Sequence, residues 1–136
     1  GDDDAVLREL VEDDAVPPYS RAVALHALAC CAVERRTDRD RFIGYLTGIL
    51  RGEVVRDHTD VVRDEALTIA LDLQLTAGAA EGLRAFDSGR IDPMMVSRQE
   101  ILEVLESAAP PFVPHRPDRY AALENAVEAL ARWRRT

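Results

Sequence analysis

A helical phrase returns after 42 residues in this chain: Arg21, Ala24 and Leu25 in SRAVALHAL, then Arg63, Ala66 and Leu67 in VRDEALTIA. Helix-pair repeats recur every ~40–47 residues, because one pair cannot bury its apolar face alone and must stack on the next. The period therefore predicts an all-α chain of stacked antiparallel pairs. It names neither a substrate nor a partner.

Hydrophobic patterning agrees with the period. Residues 5–11 place Val6, Leu7, Leu10 and Val11 at helical spacing behind Asp2, Asp3 and Asp4, which suit the positive end of a helix. After Pro17 and Pro18, residues 19–33 are almost continuously apolar and must be covered on most sides. Thr37 or Asp38 caps the next helix, whose Phe42, Ile43, Leu46, Ile49 and Leu50 form one stripe before Gly52 ends it. Residues 61–75 are again nearly all apolar, so amphipathic and buried helices alternate, as an outer and an inner layer would require. Further on, 77–86 reads as a helix weakened by Gly78 and Gly82 and stopped by Gly89, and Ser97 with Glu100 forms a capping box for 97–106. Arg98, Ile101 and Leu102, and later Arg119, Ala122 and Leu123, echo the phrase weakly. The reading is a HEAT-like α-solenoid of about seven helices: repeats over 1–109, a connector at 110–117 holding Pro110, Pro111, Pro114 and Pro117, and a C-terminal helix over 118–136 packing on the same domain.

Composition bounds the function. At 136 residues and 47% hydrophobic content the chain suits one domain with its own core, and aromatics at 5% favour close-packed helices over a sheet. All 17 basic residues are arginine, a bias we attribute to coding composition. Net charge is −8, concentrated before residue 110, and an acidic body disfavours phosphate backbones. Residues 110–136, with five arginines against three acids, are the exception. No apolar run approaches the ~18 residues of a membrane span, and no charged, then apolar, leader opens the chain. Adjacent Cys30 and Cys31 point ~100° apart on a helix and cannot bridge each other. The expectation is a cytoplasmic protein with buried thiols and no membrane partner.

The GDDDAVLRELVED opening, SRAVALHALACC, DRDRFIGYLTGIL and GLRAFDSGRIDPMMVSRQEILEVL resemble an uncharacterised bacterial family of HEAT-like helical proteins, a domain of unknown function. The resemblance covers 1–106, with Phe86, Gly89, Asp92 and Pro93 its most distinctive part. Some members carry a C-terminal SEC-C zinc motif, which is missing here because no cysteine follows Cys31. The resemblance implies that the chain corresponds to the later part of the family's domain. It implies the fold and no activity.

Candidate chemistry is sparse. His26 and Cys30 share a helix face, but two ligands do not make a metal site, and a thiol among Ala, Leu and Val lacks the electropositive niche of a nucleophile. His58 between Asp57 and Asp60 resembles an acid/base cluster, although capping by Asp60 explains the segment better. Arg21 and Arg63 are expected to pair with loop acids of a neighbouring repeat and fix the stacking. The FDSGRIDP turn presents Asp87, Arg90 and Asp92 together, and Trp133 with Arg134 stands in an RWRR terminus able to stack on a base or dock on a partner. These five, Asp87, Arg90, Asp92, Trp133 and Arg134, are the candidate partner-binding residues. No cofactor, metal or catalytic set is expected. The leading expectation is a non-enzymatic protein-interaction scaffold, with self-association through an open end of the stack. The alternatives are an enzyme or small-ligand protein using His58, Asp57 and Asp60 or the Arg90 turn, and nucleic-acid binding through the arginine tail.

Overall fold

The computed structural model describes residues 2–55 and 61–120. Among them are six α-helices: α1 (Asp2–Glu12), α2 (Pro18–Val33), α3 (Arg39–Arg51), α4 (Val61–Asp72), α5 (Thr76–Asp87) and α6 (Arg98–Glu106), followed by a 3₁₀ turn, Pro117–Tyr120. The C-terminal helix expected over 118–136 lies outside the described residues after Tyr120, as do His58, Asp57, Asp60, Trp133 and Arg134.

Helices pair as α1 with α2, α3 with α4 and α5 with α6; α4 packs between α2 and α6, while α5 packs on α3. This is an all-α stack of antiparallel-like pairs, with α2, α4 and α6 in one layer and α3 and α5 in the other. Ala24, Ala27, Ala29, Ala66 and Ala70 are buried with Leu25, Leu28, Leu67 and Ile69, so α2 and α4 carry many small side chains into the core. Polar contacts join α1 to α3: Thr37 Oγ1 donates to Asp4 Oδ1 at 2.9 Å, and Tyr45 Oη donates to Glu12 Oε2 at 2.7 Å. Between α3 and α5, Arg51 reaches Glu81 at 2.9 Å and Arg84 reaches the same carboxylate at 2.6 Å. Arg51, ahead of Arg84, holds the Glu81 carboxyl below its ordinary range.

Local sequence sets the boundaries. Pro17 and Pro18 open α2, where a missing N–H leaves nothing unsatisfied. Asp38 caps α3 by accepting from the Arg41 N–H, and Ser97 with Glu100 completes the capping box of α6. Helices α2 to α5 all end on a left-handed residue followed by an N–H that reaches back five positions: Arg35, Gly52, Gln74 and Gly89 adopt φ of 61°, 80°, 56° and 75°. Gln74 stops α4 at Asp72, short of the expected Leu75, and Leu73 and Leu75 are buried within the turn.

The proline-rich segment is anchored. The Phe112 N–H donates to the Leu73 carbonyl at 2.9 Å, its ring lies 6.4 Å from Phe42, and the Arg39 guanidinium stacks 4.6 Å from its centroid. Arg39 also donates to the Ala32 and Val33 carbonyls at 3.0 Å each, satisfying the end of α2. The strap then runs from α4's C-terminal end back across the α2–α4 face to Tyr120.

Candidate functional site

Two cavities open on the α2–α4–α6 face, one lined in part by Arg119 of this strap and the other by its His115. The first, about 400 Å³, lies between α2 and α4 and is lined by Tyr19, Ala22, Val23, His26, Glu65 and Arg119. Tyr19 and Val23 sit one turn apart on α2 and are 77% and 51% exposed, so two large apolar side chains face water at its rim. The second, about 320 Å³, lies between the C-terminal ends of α4 and α6, with Asp72, Gln74, Glu103, Val104 and His115 among its walls. A third, about 540 Å³, is lined among the described residues by Ala5, Arg8, Glu9, Glu12 and Asp13, on and just after α1.

His26 joins the strap to both inner helices. Its Nδ1 lies 3.4 Å from Glu65 Oε1 on α4, its Nε2 lies 2.5 Å from the Arg119 carbonyl, and its ring packs 4.8 Å from Tyr120. Both neighbours of the imidazole are acceptors, so the doubly protonated ring satisfies both. Glu65 raises the His26 pKa above its ordinary value, with the Arg119 carbonyl adding to it and burial opposing it. The Cys30 thiol donates to the same Arg119 carbonyl at 3.8 Å. Burial, then Cys31 and Glu34, pushes the Cys30 pKa up to about 12, so it is a weak donor and no nucleophile. The Tyr120 hydroxyl donates to Asp72 Oδ2 at 2.9 Å, and Arg119 pairs with the same oxygen at 3.4 Å.

The folded-state pKa of His26 is raised, so its stabilisation is fully present below the unfolded value of about 6.5. It is lost as pH rises through the folded value. Wild-type stability in urea is expected to fall as pH rises from about 6.5 through the raised folded-state value, with His26→Gln flattening most of that slope. A slope unchanged in the variant would assign the pH dependence elsewhere.

Asp87, Arg90 and Asp92 do not converge. Asp87 takes both contacts of Arg98, at 3.0 and 3.4 Å; Arg90 Nη1 donates to the Arg51 carbonyl at 3.4 Å; Asp92 Oδ1 accepts from the Met94 N–H at 2.9 Å. Asp87 thus joins α5 to α6, Arg90 reaches the end of α3, and the Asp92 side chain turns back on its own connection. Arg63 Nη1 donates to the Arg90 carbonyl at 3.4 Å, tying α4 to the next pair, whereas Arg21 binds a carbonyl of its own pair, Val11 O, at 2.7 Å. Sequence reasoning missed Glu65, Asp72, Gln74 and Tyr120. Glu65 follows His26 by 39 residues, close to the repeat period, and that spacing is the signal that would have found it.

Among the described residues, no group of three or more His, Cys, Asp or Glu side chains is placed to hold a metal ion, and no helix is long and apolar enough to cross a membrane. No curated protein and no solved structure matches the chain. A family match extends over residues 1–136, past the 1–106 of the sequence resemblance, and the chain belongs to that family, described as Protein of unknown function (DUF1186).

Proposed function

We propose that this chain is a non-enzymatic protein-interaction scaffold, a short HEAT-like α-solenoid whose α2–α4–α6 face docks a basic segment of another protein. The observation that carries the reading is the cavity rimmed by exposed Tyr19 and Val23, because apolar side chains beside a concavity are what a partner buries. The net charge of −8, with Glu65, Asp72, Glu100 and Glu103 along this face, supports a basic partner. Exposed Met94 and Met95 in the α5–α6 connection add adaptable apolar contact away from this face.

The test is a tagged pull-down from native lysate, with and without nuclease, comparing wild type with Tyr19→Ser/Val23→Ser. Both substituted side chains are exposed, so the fold is expected to survive, as circular dichroism would verify. The expected result is one protein in near-stoichiometric yield, indifferent to nuclease and lost in the double variant. Recovery equal in the variant, or dependent on nucleic acid, would sink the reading.

A further inference from the structure

We infer that the cavity between the C-terminal ends of α4 and α6 receives an arginine guanidinium from the partner's basic segment; the inference rests on the scaffold reading and deepens it. Gln74 carries the argument. It is 8% exposed, and its amide nitrogen is spent on the Leu71 carbonyl at 3.3 Å and on His115 Nε2 at 2.8 Å. Its Oε1 is buried without a hydrogen-bond partner. Buried carbonyl oxygens are ordinarily satisfied, so this one is an acceptor waiting for a donor. The amide stands at the cavity wall, because His115, which it touches, lines the same space.

The remaining walls define the donor. Asp72, Glu100 and Glu103 line the cavity, and among the described residues Tyr120 and Arg119 both bind Asp72 through Oδ2. Glu100 Oε1 accepts from the Ser97 N–H at 3.3 Å, and Glu103 is exposed. Acceptors thus dominate the lining, which rejects anions and favours a group with donors alone. Leu71 and Val104 supply an apolar wall for an alkyl stem. A guanidinium has five donors in a planar fork on such a stem, and it can meet a carbonyl and a carboxylate together. His115, which is exposed and rests on the Gln74 amide, borders the entrance the fork would use.

The probe is an acetylated, amidated tripeptide with a central arginine, titrated by NMR into the full chain against the same tripeptide with citrulline and against agmatine. Expected are about millimolar binding of the arginine peptide, weakening with added salt, and no measurable binding of the neutral citrulline peptide. Gln74→Leu is expected to weaken binding about tenfold. Exposed Glu103→Gln, which cannot threaten the fold, is expected to weaken it about threefold, and Glu103→Arg to abolish it. Equal binding of the citrulline peptide, affinity untouched in both Glu103 variants, or agmatine binding as tightly as the peptide would overturn the assignment. If the pull-down partner persists while no arginine peptide binds, this inference falls and the scaffold reading stands. If the peptide binds as expected but the Tyr19/Val23 variant loses no partner, the scaffold reading falls alone.

Discussion

Arg21→Ala is expected to destabilise the fold by about 4 kcal/mol, and Arg21→Met by about half as much. Arg21 is 1% exposed at the start of α2, and its Nε donates to the Val11 carbonyl at 2.7 Å. Val11 lies in the last turn of α1, where a carbonyl has no helical donor and must find another partner. Alanine removes that charged hydrogen bond and leaves a cavity where the side chain was. Methionine loses the bond but keeps the volume, and it also removes the cost of burying a charge. Its contact with Asp14, at 3.8 Å, is made to a carboxylate 84% exposed and adds little. Urea denaturation followed by circular dichroism measures both variants. Equal losses in Ala and Met would show that packing is immaterial and the hydrogen bond carries the whole effect; a wild-type midpoint in Ala would remove Arg21 from the joint.

The legibility of this chain follows the range of its interactions. Helix starts were readable because caps are local: Asp38 and Ser97 act on N–H groups three residues away. The alternation of buried α2 and α4 with half-exposed α3 was readable because their apolar patterns differ along the sequence. The stop at Gln74 was not, since a glutamine in the left-handed region replaces the usual Gly or Asn signal. The candidate site was read poorly for the same reason. Asp87, Arg90 and Asp92 are neighbours in sequence, yet their side chains turn to α6, to α3 and back onto the connection itself, whereas the groups that do meet are distant: His26 with Glu65 and Arg119, Gln74 with His115. A turn that gathers charges in sequence shows what a loop contains. It does not show where each side chain finds its partner.

Gly78 and Gly82 illustrate the point with the second large effect. The sequence presents them as weaknesses in α5, but they are where α5 meets α4. A Cβ at Gly82 would stand 2.3 Å from Leu67 Cδ1, and one at Gly78 would stand 2.7 Å from the Ala70 Cβ. The two glycines lie one turn apart on one face, so a flat strip lets the helices touch. Leu67 is fully buried and cannot move aside without displacing its neighbours. Gly82→Val is therefore expected to cost about 3 kcal/mol, or about 10 °C in Tm. Gly44, inside α3, meets nothing within 4 Å. There Gly44→Ala is expected to stabilise by about 0.5–1 kcal/mol through helix propensity alone. Thermal unfolding of Gly82→Ala beside Gly44→Ala separates the explanations. If propensity governed both sites, Gly82→Ala would stabilise as Gly44→Ala does; if close approach governs Gly82, even the single methyl of Ala lowers Tm while the same methyl at Gly44 raises it.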